Sequence, residues 1–144
     1  MRKLLLILTS SKVSEKMRDL VLLIFRALLS LEMIYAHGLK KIGLGGLERE
    51  VIPNPLNLPE ALNGTFAILA NLFFPVLVIF GVFTRLAVLP ILSVTLTGYF
   101  VLHFHDAPLV KDTPFIYSLG YLLIFFLGAG RYSVDHLIFK KIIR

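Results

Sequence analysis

Three side chains inside one apolar stretch, Asp19 to Lys41, are of types that do chemistry: Arg26, Glu32 and His37. A guanidinium donates to carbonyls and anions, a carboxylate takes up a proton, and an imidazole can both donate and accept. Ionisable groups inside a membrane span are costly and normally face a protein interior. At about 100° per residue, Arg26, Ser30, Met33 and His37 share one helix face, with Lys41 slightly off it and Glu32 about 120° away. Arg26 and His37 are about 16 Å apart along the axis, too far to hold one small headgroup together. The spacing therefore predicts two roles. Arg26 pairs with a carbonyl, a hydroxyl or an acidic group of a neighbouring helix. His37 and Lys41, with His103 or Tyr99 of a later span, line an outward-facing ligand site. Glu32, on its own face, is expected to meet the second or fourth helix, with Asn71 as a partner.

The elements that must position these residues are apolar helices. About 20 apolar residues cross a bilayer, and four stretches qualify, at about 19–38, 64–83, 86–105 and 114–130. The expected fold is an all-α, integral membrane four-helix transmembrane bundle, one membrane domain over 1–144. Basic N- and C-terminal segments, 1–18 and the RYSVDHLIFKKIIR tail, are expected to lie at the membrane interface. Pro75 should kink the second span. The connection 39–63 is a long outer loop. It holds three prolines and Leu56, Leu58 and Leu62, and is expected to fold back over the bundle.

Composition agrees with that class. Of 144 residues, 57% are hydrophobic and only 17% charged, against about a quarter charged in soluble domains. Mean hydropathy is +0.83. There is no cysteine, which excludes disulfides and thiolate chemistry. No metal site is expected, since the histidines show no HxxxH or HExxH spacing. The net charge of +6 reads as topology and not as nucleic-acid binding.

Arg2, Lys3, Lys12, Lys16, Arg18, Arg85, Arg131, Lys140, Lys141 and Arg144 fall on one side of the four spans. Lys40, Lys41, Arg49 and Lys111 fall on the other. The bias predicts a multi-pass protein of the cell membrane with both termini cytoplasmic. The outer half then collects Glu32, His37, Lys40, Lys41, Asn71, Tyr99, His103, Asp112 and Tyr117. Asn71 lies about 10 Å below the outer surface.

Three short motifs recur in order along this frame. The first is Arg26 followed by His37-Gly38-Leu39-Lys40-Lys41. The second is Gly81-Val82-Phe83-Thr84-Arg85. The third is Gly128-Ala129-Gly130-Arg131-Tyr132-Ser133-Val134-Asp135. Together, over about residues 19–136, they resemble the DoxX family of small four-span membrane proteins. Two positions depart from the family pattern: Ser30 stands for a glycine, and Asn71 for a glutamate that many members carry. Glu32 is then the acid available within a span. The resemblance implies a subunit of a respiratory or redox complex, quinone-linked in the manner of thiosulfate:quinone oxidoreductase. The alternative is a non-catalytic membrane anchor or assembly subunit of a larger complex. It implies quinone as the redox partner molecule, and a homo- or hetero-oligomer with other membrane subunits. Candidate ligand-binding residues are His37, Lys41, Glu32, Asn71, Tyr99 and His103. Motif residues expected to hold the fold are Arg26, Gly38, Gly81, Thr84, Arg85, Gly130, Arg131 and Asp135.

Overall fold

A computed structural model describes residues 13–44, 46 and 49–143. All its regular elements are helical: α1 Glu15–Ile42, α2 Glu60–Phe80, α3 Thr84–Leu102, α4 Pro108–Leu127 and the short α5 Val134–Ile142. The first four are long and apolar enough to cross a membrane. They run up and down in sequence order, so each packs antiparallel to the next, and α1 also touches α4. Met33, Val78, Val88, Ile91, Tyr121 and Ile124 fill the centre. Leu28, Phe80, Leu86 and Phe126 stand exposed on the outside, as lipid-facing helices require. The chain is a multi-pass membrane protein.

Helix boundaries differ from the sequence reading where local chemistry extends or stops a helix. The first span begins at Glu15, because the Ser14 hydroxyl accepts from the Met17 amide. It does not end at Gly38. It continues to Ile42 and stops where Gly43 turns left-handed, at φ 69°. The second span starts directly after Pro59. The fourth starts with Pro108 in its first turn, where a missing N–H costs nothing, and ends at Leu127. Of the segment 1–18, residues 1–12 lie outside the described residues. The remainder largely belongs to α1.

Three helices carry a π turn: Ile34–Gly38 in α1, Leu69–Phe73 in α2 and Gly98–Leu102 in α3. All three lie toward the same end of the bundle, the end covered by the long connection. In α2 the cause is readable: Pro75 has no N–H for the Asn71 carbonyl four residues back, so the ladder widens. In α1 the turn resets the inward face. The buried positions run Asp19, Leu22, Arg26, Ser30, Met33 and then jump five residues to Gly38, before Lys41.

Candidate functional site

At the end opposite the long connection, three sequence motifs close on one another. Gly81 ends α2 in the left-handed region, at φ 67°, and Thr84 begins α3. The Asp135 carboxylate accepts from the amides of Phe83 and Thr84 at 2.7 and 2.9 Å, and from the Thr84 hydroxyl at 2.8 Å. The Asp135 amide donates back to the Gly81 carbonyl at 2.8 Å. An aspartate at a helix start satisfies amides that have no partner within the helix. Arg26 reaches up from α1, only 1% exposed, and donates to the carbonyls of Ala129 and Tyr132. A Cβ on Gly81 would lie 2.5 Å from Ser133 Cβ and 2.8 Å from Arg26 Nη1, so the position has room only for glycine. Arg131 Nη2 donates to Glu15 at 2.5 Å, and its Nε lies 3.5 Å from Asp19. Arg85 is exposed and donates to the Phe126 carbonyl at 3.3 Å.

Asp19 was not singled out from the sequence, yet it is 3% exposed. Its signal was available: it stands seven residues before Arg26, two helical turns down the same face. Gly130, at φ 73°, leaves space for it, since a Cβ there would sit 3.4 Å from Asp19 Oδ1.

At the covered end lies a cavity of about 510 Å³. His37, Lys41, Asn71, His103, Tyr117 and Glu50 contribute its polar wall, and Met33, Phe66, Pro53, Leu56, Leu58 and Leu102 its apolar wall. His37 meets the edge of the Tyr117 ring, with centroids 5.3 Å apart. Lys41 is 7% exposed, and its Nζ lies 3.7 Å from Glu50 Oε2. The Asn71 amide donates to the Ala67 carbonyl at 2.7 Å. His103 Nδ1 bonds Asp106 at 2.7 Å, which leaves its other ring nitrogen for a further partner. A Cβ on Gly38 would lie 2.6 Å from the Asn71 carbonyl oxygen. The missing side chain therefore lets the π turns of α1 and α2 touch and sets His37 beside Asn71. π turns often occur where a helix serves a site.

The long connection forms the roof. Ile52, Pro53, Pro55, Leu56 and Leu58 line the cavity. Asn54 closes the turn by bonding the amide and carbonyl of Leu58, and Asn63 donates to the Pro53 carbonyl at 3.0 Å. Leu62, expected on the underside, is exposed and lies outside the cavity wall.

Two candidates fall elsewhere. Tyr99 packs on Phe115 and Phe100, with Lys111 Nζ 5.9 Å from its ring, and does not line the cavity. It lies in the π turn Gly98–Leu102, of which Gly98 and Leu102 touch the cavity. Glu32 is exposed on the outer surface of α1. It does not line the cavity, and Asn71 bonds its own helix instead. The physical reason is the regular helix below Met33: 120° from the buried Arg26 face points out of the bundle, not to a second helix. Tyr117 and Glu50, not ranked as ligand residues from the sequence, are part of the wall.

The wall therefore offers donors (Lys41, the Tyr117 hydroxyl, and His37 in either sense) within an otherwise apolar enclosure. The Lys41 charge is offset by Glu50, so the site suits a neutral molecule with acceptor oxygens and an apolar body.

Comparison with known proteins agrees with the architecture. An uncharacterized protein of Haemophilus influenzae is 36% identical over 93 residues, covering 61% of this chain. The chain spans 62% of that relative's length. No solved structure matches. The DoxX family model matches residues 21–104, which take in Arg26, the His37–Lys41 motif and the Gly81–Arg85 turn, and the chain belongs to the DoxX family.

Proposed function

We propose that the chain is the quinone-binding membrane subunit of a redox complex, with the covered cavity as the headgroup site. The observation that carries this reading is the convergence of His37, Lys41 and Tyr117 on one apolar cavity of about 510 Å³. A quinone ring needs a donor at its carbonyl oxygens and an apolar surround. Phe66, Ser93 and Leu102 belong to the wall and are exposed on the outside of the bundle, which supports lateral entry from lipid. Reduction of a quinone to a quinol takes two electrons and two protons. The electrons come from a reductant held by a partner subunit, and His37 and Tyr117 are placed to pass protons to the oxygens.

The test is extraction. Protein purified from its native membrane in mild detergent should yield quinone at about one per chain on solvent extraction. Pure protein free of quinone, holding a stable partner and showing no turnover, would favour the anchor reading over this one.

The basic end is proposed to face the cytoplasm, from the Lys and Arg bias. Cysteines placed singly at Asn57 and Lys140 should label from opposite sides of sealed vesicles. Labelling from one side would overturn the topology.

A further inference from the structure

Glu32 is exposed on α1 within its membrane-spanning stretch. It lies five residues, about 7.5 Å, below His37 and about 12 Å below Lys40. Among the described residues it makes no ion pair or hydrogen bond. An unpaired carboxylate facing hydrocarbon is costly and marks a contact with protein. Around it, Val21, Ile24, Leu28, Leu31 and Tyr35 are all exposed, at alternating steps of three and four residues. Any outward face of a helix shows that spacing, so the apolar stripe alone decides nothing. The polar pair within it does. Tyr35 is 64% exposed, and its hydroxyl has no partner among the described residues. It sits about 60° around the helix from Glu32 and about 4.5 Å higher, within reach of a tyrosine side chain from a parallel neighbour.

We propose that this face is a homodimer interface: a second copy packs its α1 in parallel against the first across a two-fold axis. The face carries its own donor and its own acceptor. In a two-fold arrangement residue i meets j and j meets i, so each Tyr35 hydroxyl donates to the Glu32 carboxylate of the other copy. Leu28, about 10° from the direction midway between Tyr35 and Glu32, lies beside the axis and packs on its counterpart in the shallow left-handed crossing common to membrane helices. A different membrane protein would have to supply a matching donor at the same depth. A second copy supplies it by symmetry.

The absence of cysteine makes the test clean. Full-length protein carrying Leu28→Cys, reconstituted in liposomes at high lipid-to-protein ratio, should form a disulfide-linked dimer on mild oxidation. Leu123→Cys, on the exposed face of α4, should stay monomeric. Adding Glu32→Leu or Tyr35→Phe to the Leu28→Cys protein should weaken dimerisation about tenfold, taking two interhelical hydrogen bonds of ordinary membrane strength. Tyr35→Phe removes only a hydroxyl, so its effect is independent of any folding defect in Glu32→Leu. Equal crosslinking at Leu28→Cys and Leu123→Cys, monomers by single-molecule photobleaching, or crosslinking unchanged by both polar substitutions would each overturn the proposal.

Discussion

Arg26→Leu is expected to lower the stability of the folded protein by about 2–6 kcal/mol, from two buried carbonyls left without their donor at about 1–3 kcal/mol each. The reason lies in what Arg26 serves. Its guanidinium is the donor to the carbonyls of Ala129 and Tyr132, in the segment that delivers Asp135 to the start of α3. A leucine leaves both carbonyls without that donor, at a place where Gly81, Ser133 and Arg26 are packed within contact distance. Lysine keeps the charge but not the planar fork, and cannot replace two diverging N–H groups. Arg26→Lys should therefore recover only part of the loss. Thermal unfolding in detergent, followed by the helical signal, measures both. Unchanged unfolding of Arg26→Leu would mean that the α4–α5 segment is held by Asp135 alone.

His37→Ala is expected to leave that unfolding transition near its original temperature and to weaken quinone-analogue binding about 10- to 100-fold. Loss of one hydrogen bond in a desolvated site costs about 1–3 kcal/mol. The imidazole packs on Tyr117 but is only half-buried, and it takes no part in the contacts that join the helices at the other end. Lys41→Met should weaken binding to a similar degree, with a small additional effect on the roof, because Lys41 pairs with Glu50.

Much of this arrangement is readable in the sequence, for identifiable reasons. Four spans follow from hydropathy and length alone. That Arg26 and His37 are too far apart to share one small partner follows from the helical repeat; that Arg26 donates to carbonyls between α4 and α5, and not to a group on a neighbouring helix, does not. The repeat fails beyond Met33. A 3.6-residue period cannot reveal the π turn at Ile34–Gly38, which lets α1 run on to Gly43 and brings Lys41 fully inward. Glu32 shows a different limit. The angle between two residues is legible, but whether 120° away from the core is a second helix or open lipid depends on how many neighbours the helix has. Tyr99 and Tyr117 were equivalent by depth, and only the packing of α3 on α4 separates them. Glu50 could not be placed from sequence at all, since it reaches Lys41 through an irregular connection.

The most direct test of the two-ended account titrates a short-chain quinone analogue into the wild-type protein, His37→Ala and Arg26→Lys in lipid nanodiscs, with unfolding temperature measured on the same samples. The account expects His37→Ala to lose affinity at unchanged stability, and Arg26→Lys to lose stability while the folded fraction binds as wild type. Wild-type affinity in His37→Ala, or loss of binding by folded Arg26→Lys, would contradict it.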